Sequence, residues 1–171
     1  MTAYVALIRA VNVSGTGKLP MTDLKVMGER CGFANCRTFI ASGNLLFTSD
    51  LDEAEAQQRI ASRIEDYFGK AVAIHVRSGA EMAEAVARNP FAEAPGNRVV
   101  ALFVDGEPTQ AMVDAASGIN GERLAHGPRL IYIAYGDGMA DSKLKLPAMR
   151  EGTARNMNSV AKMAELLAGM E

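Results

Sequence analysis

Two groups of residues in this 171-residue chain combine cations with amides at spacings that suit an anion. In the stretch Arg150–Lys162, REGTARNMNSVAK, two arginines, a lysine, a threonine and two asparagines fall at what reads as the start of the last helix. A helix start presents unpaired backbone N–H groups and the positive end of the dipole, and so receives a phosphate or carboxylate. Arg155, Asn156 and Asn158, with Lys143 upstream, are the candidate ligand-binding residues there. Arginine offers a planar fork for such groups and lysine a point charge. The other group is Arg9 and Asn12, just past the first apolar run, with Ser42, Gly43 and Asn44 in a turn. One cation and two amides meeting at a sheet end would bind an anionic group. Each group has a structural alternative: asparagine and serine side chains satisfying loop backbone, Thr153 capping a helix, and Arg155 on a solvated face or at a domain interface.

The residue types of known catalysis are present without the arrangements. His75 sits in a predicted strand and His126 in a predicted turn, both remote from Cys31 and Cys36, and Ser42 lacks a base and the nucleophile-elbow context. Two histidines and two cysteines five apart give no metal cluster at ligand spacing, so neither metal nor cofactor is expected. Gly15-Thr16-Gly17-Lys18 resembles the end of a phosphate loop, but Asn12 replaces its leading glycine and Leu19 its metal-binding hydroxyl. The acids of Asp50–Glu55 read as a solvated helix start. Catalytic residues therefore stay unassigned.

Composition describes a folded protein: apolar residues are 49% of the chain and the net charge is -2. Residues 1–49 carry five Lys/Arg against two acids, and residues 50–130 thirteen acids against eight basic residues. The first portion thus presents a mildly basic face, too weak to require nucleic acid. No apolar run is long enough for a bilayer, and Arg9 interrupts YVALI before it can act as an export signal. The expectation is a cytoplasmic protein with reduced thiols.

The elements that must position these residues can be read in order. Ala3–Ile8 is a buried strand, and Arg9–Lys18 a loop leaving its end. Pro20, Thr22 and Asp23 start a helix with Leu24, Met27 and Cys31 on one face, stopped by Gly32. Thr38–Ile40 and Leu45–Thr48 form a hairpin around residues 41–44. Ser49 or Asp50 caps a helix with Ile60, Ile64 and Phe68 inward, and Gly69 ends it. Ala71–Val76 is the next strand. The order strand, helix, strand, strand, helix, strand is that of a ferredoxin-like plait.

Ser78 and Glu81 form a capping box on a bridging helix ended by Asn89-Pro90. Arg98–Val104 is a strand, Pro108–Ala116 a helix, and residues 121–125 and 130–135 a hairpin across His126-Gly127-Pro128. Ser142–Met149 holds a helical turn, and Thr153–Leu167 closes the chain as a helix. The expected fold is α/β (α+β), with two ferredoxin-like plait subdomains whose antiparallel sheets are covered by helices. Residues 1–77 form the first domain, 78–97 a bridging helix and linker, and 98–171 a second domain that lacks or alters its last strand.

Several motifs resemble the bacterial DUF1697 family. They are residues 4–15, YVALIRAVNVSG; residues 21–24, MTDL; and residues 38–47, TFIASGNLLF. Asn89-Pro90-Phe91, Ser142-Lys143-Leu144 and residues 153–160, TARNMNSV, follow in the family's order. The resemblance implies paired ferredoxin-like domains and brings no catalytic assignment. In the family a glycine follows the first arginine, an isoleucine precedes the asparagine, and a tryptophan often separates the last two asparagines; here these are Ala10, Val11 and Met157. Met157 keeps an apolar contact without a stacking ring.

The functional expectation is binding of a small phosphorylated or carboxylated ligand in an interdomain cleft built from Arg9, Asn12, Ser42, Gly43 and Asn44, with Lys143, Arg155, Asn156 and Asn158. One alternative is a single-stranded nucleic-acid-binding module, although the plait's aromatic RNA-binding signature is missing. Another is a noncatalytic protein-interaction domain acting through a sheet edge. Oligomeric state is not readable from the sequence.

Overall fold

The computed structural model describes residues 1–9, 18–137 and 139–171. Two compact units emerge, Met1–Met82 with Met163–Glu171, and Ala83–Lys162. Each contains a four-stranded antiparallel sheet, and the two sheets have the same strand order.

In the first unit, β1 (Thr2–Ile8) is an inner strand between β3 (Asn44–Ser49) and β4 (Ile74–Ser78), and β2 (Ala34–Thr38) forms an edge beyond β3. Helices α1 (Met21–Arg30) and α2 (Glu53–Phe68) cover one face. Strand alternation sends Tyr4, Ala6, Ile8, Leu45, Phe47 and Val76 into the core with Leu24, Ile60 and Ile64 from the helices. Phe47 stacks on Phe33 with ring centroids 3.9 Å apart. Gly28 permits the close approach of α1 to the sheet, since a Cβ there would lie 2.8 Å from Leu45 Cδ2. The alternate residues Val5, Leu7, Leu46, His75 and Arg77 are buried as well, so both faces of this sheet are covered.

Several boundaries differ from the sequence reading, among them β4, which runs Ile74–Ser78 rather than 71–76. The cap of α2 is Asp52, whose carboxylate accepts from Glu55 N–H at 2.8 Å, while Ser49 Oγ accepts from Leu51 N–H. Strand β2 lies upstream of Thr38–Ile40, because the chain turns at residues 39–43 and Ile40 takes a left-handed φ of 50° that ends extended structure.

Cys31 ends α1 and Cys36 sits on β2. Burial raises both thiols above their usual range; Glu29 and Cys31 add to the shift at Cys36, which reaches about 11, and Arg63 partly offsets it at Cys31. Raised acids favour the folded state while protonated. For Cys36 that contribution is complete below about pH 9 and is lost as the pH rises toward about 11. A thiol reagent at pH 8 is therefore expected to modify the folded protein far more slowly than the urea-unfolded chain; equal rates would contradict this reading.

In the second unit, β5 (Val99–Phe103) lies between β7 (Leu130–Ala134) and β8 (Thr153–Asn156), with β6 (Arg123–Gly127) at the far edge beyond β7. Leu102, Val104, Ile131 and Ile133 pack with Val113 of α4 (Gln110–Asp114) and with Leu146. The second helix of the plait is replaced here by a segment with 3-10 turns at Met139–Asp141 and Pro147–Arg150. On the opposite face Tyr132 Oη donates to Ala85 O at 2.6 Å, from helix α3 (Gly79–Ala87).

Of the two expectations for the second copy, a last strand lacking or altered, the first is overturned. Residues 153–156 form β8, with Ala101 paired to Arg155 and Phe103 to Thr153. Thr153 is a buried strand residue rather than a helix cap, and α5 (Met157–Ala168) begins four residues later than read. His126 likewise lies on β6, and the hairpin turns at Pro128-Arg129. The capping box holds: Glu81 N–H donates to Ser78 Oγ and Ser78 N–H to Glu81 Oε1, both at 3.2 Å.

Candidate functional site

Arg9 follows β1 directly, and two backbone bonds locate it. Ile8 N–H donates to Gly43 O at 2.9 Å, and Arg9 N–H donates to Ala73 O at 3.0 Å. The end of β1 is thereby held between the 39–43 turn and the segment entering β4, as the antiparallel pairing of Leu7 with Asn44 requires. Arg9 is half-buried at this end of the sheet. Asn12 and most of the glycine-containing loop fall in residues 10–17, outside the described residues; Lys18, after them, is exposed.

The facing turn is a built structure. Asn44 is fully buried, and its amide nitrogen donates to Phe39 O at 2.9 Å and to Ser42 Oγ at 3.1 Å. Phe39 N–H donates back to Asn44 O. Gly43 has a φ of 92°, a conformation glycine adopts without a Cβ penalty. Ile40 adopts φ 50° with its side chain 49% exposed, which is costly for a β-branched residue. The asparagine therefore fixes the turn.

The second predicted group is dispersed along β8 and the start of α5. Arg155 is buried, and its Nη1 donates to Ala154 O at 2.9 Å; desolvation lowers its pKa to about 10, which leaves it cationic at neutral pH. Asn156 Oδ1 accepts from Ser159 N–H at 2.9 Å and so caps α5. Asn158 is exposed and lies over Gly96, where a Cβ would come 2.1 Å from its Oδ1. Met157 is buried. Exposed Lys143 places its carbonyl against Gly118. Arg9, Ser42, Gly43 and Asn44 thus come together within the first unit, while the Arg155 residues belong to the second.

Sequence reading missed a second buried arginine. Arg77, on β4 beside Val5, is 2% exposed, donates to Val76 O, and lies 3.8 Å from Glu53 and 3.9 Å from Glu81. A signal for it existed: Arg77-Ser78 precedes α3 as Arg155-Asn156 precedes α5, with an arginine on the closing strand and the next residue capping a helix. Arg59 and Arg63, one turn apart on α2, were also overlooked; they donate to Cys31 O and Arg30 O at the carbonyl end of α1.

Among the described residues no group of three His, Cys, Asp or Glu could hold a metal ion, and no helix is long and apolar enough to cross a membrane. No curated protein matches the chain. Its fold is similar to the solved structure of the conserved bacterial protein SP0830 from Streptococcus pneumoniae, with a TM-score of 0.82 at 23% identity over 97% of this chain and 98% of that one. Residues 1–132 match the model of the family described as protein of unknown function (DUF1697), and with that match across most of its length the chain belongs to the DUF1697 family.

Proposed function

We propose that the protein binds a small phosphorylated or carboxylated ligand at the end of its first sheet, with Arg9 as the principal cation and the Ser42–Asn44 turn as the opposing wall. The observation that carries the reading is the pair of backbone bonds, Ile8 N–H to Gly43 O and Arg9 N–H to Ala73 O, that place half-buried Arg9 one residue beyond the contact with the turn. Ile40 lends support, because a strained, exposed apolar residue in that same turn is more often kept for contact than for stability. Asn12 lies outside the described residues and stays in this proposal on its sequence position alone. Arg155, Asn156, Asn158 and Lys143 belong to the second unit and are not used in this reading.

The nucleic-acid alternative draws less support. A single-strand platform needs exposed aromatics on a sheet face, and Tyr4, Phe33 and Phe47 are buried in the first unit's core. Calorimetric titration of the full chain with nucleoside monophosphates, sugar phosphates and dicarboxylates tests the preferred reading. A ligand from this set should bind, and Arg9→Ala should weaken it about tenfold or more, the range of one charge-assisted hydrogen bond. Binding that ignores the substitution sinks the Arg9 assignment. An oligonucleotide that binds with a steep salt dependence would favour the alternative.

A further inference from the structure

We propose that the groove between α1 and α2 of the first unit is a separate binding site, for a zwitterion of dipeptide length with an apolar middle. A cavity of about 400 Å³ opens there, within the range of small-molecule sites. Its apolar surface comes from Met27, Val26 and the Tyr67 ring, the last two 42% and 44% exposed.

The charges around that surface are sorted by sign. Tyr67 Oη donates to Asp23 Oδ2 at 3.2 Å, which brings the end of α2 to the start of α1 and sets Asp23 and Asp66 at one end. Arg63 Nη2 donates to Arg30 O at 3.4 Å, which sets Arg30 and Arg63 at the other. Among the described residues no ion pair joins either arginine to either aspartate. The acidic and basic ends thus remain apart.

Their spacing selects the ligand. Seven residues of helix separate Asp23 from Arg30, about 10 Å of rise, and three separate Arg63 from Asp66, about 4.5 Å. An extended dipeptide spans about 7 Å. A dipeptide lying along the groove would place its ammonium by the aspartates, its carboxylate by the arginines, and its side chains on Val26 and Tyr67. Along α1, where Asp23 and Arg30 are about 10 Å apart, a free amino acid with both charges on one carbon is too short to reach both ends. The site is distinct from the Arg9 end of the sheet and does not rest on the ligand proposed there.

Calorimetry on the full chain with leucyl-leucine as the probe tests this, beside its N-acetylated and C-amidated forms. The free dipeptide should bind, and either cap should weaken it about tenfold or more. Asp66→Asn should cost the free dipeptide a similar factor while leaving the N-acetylated form unchanged; Arg63→Gln should do the same with respect to the amide. Both side chains are exposed, and circular dichroism melts verify that the variants fold. Arg9→Ala should have no effect. Absence of leucyl-leucine binding at millimolar concentration, or binding indifferent to the caps or to both groove variants, overturns the proposal.

Discussion

Phe47→Ala is expected to destabilise the protein by about 3–5 kcal/mol, the range for removing a large buried aromatic. Phe47 is fully buried on β3, stacked on Phe33 and 5.7 Å from the Tyr4 ring, so truncation removes area from three elements at once. The neighbours cannot readily collapse into the space, because Tyr4 is tied to Leu51 O through its hydroxyl and Phe33 is placed by the backbone bond from its N–H to Gly28 O. A domain is ordinarily stable by about 5–15 kcal/mol, so this loss would unfold a substantial fraction of a marginal chain. Urea denaturation followed by circular dichroism measures it. A loss below about 1 kcal/mol would mean that the aromatic cluster is not the centre of this core.

Arg77→Ala should cost about 3 kcal/mol, through a different mechanism. Removing one member of a buried charge cluster leaves the others without compensation, typically at 3–5 kcal/mol. Glu53 and Glu81 retain 30% and 32% exposure, so water screens part of the effect and the lower end applies. Arg77→Met keeps most of the buried volume without the charge. It leaves the same two carboxylates unpaired, so it should recover only the packing share of the loss, about 1 kcal/mol. Equal losses for the two variants would show that the buried volume contributes nothing and that the charge and the carbonyl bond carry the whole effect.

Arg77 and β8 also show where the sequence was legible and where it was not. Strand β1, helices α1 and α2 and the Ser78–Glu81 box carry their signals within a few residues: apolar runs, helical spacing, caps and a terminal glycine. Strand β8 carries no such signal. Thr153-Ala154-Arg155-Asn156 is short and polar, and it becomes a strand by pairing with β5, some fifty residues away. With Asn156 immediately before a strong helical pattern, local reading extends that helix backwards through the strand. The displaced β2 has a related cause. Phe39 and Ile40 have good strand propensity, but closure of the turn by Asn44 and the left-handed φ at Ile40 outweigh it.

The candidate site divides along the same line. That Arg9 would lie near Asn44 followed from plait topology, since an antiparallel neighbour begins where the first strand ends. That Asn44 would spend its amide on the turn did not follow, because an asparagine beside a glycine reads alike as a ligand contact or as a turn brace. The α1–α2 groove was invisible for a simpler reason. Its charges are scattered over forty-four residues and are gathered only when two helices pack side by side.

The most direct test of anion binding at Arg9 is native mass spectrometry of the full chain and of Arg9→Ala, each purified gently and then denatured to identify any released molecule. The wild-type chain should carry a stoichiometric molecule bearing a phosphate or carboxylate, and Arg9→Ala should lose it. The same molecule retained by Arg9→Ala, or a bare chain that also fails to bind any compound in the phosphate and carboxylate titrations, would contradict the account.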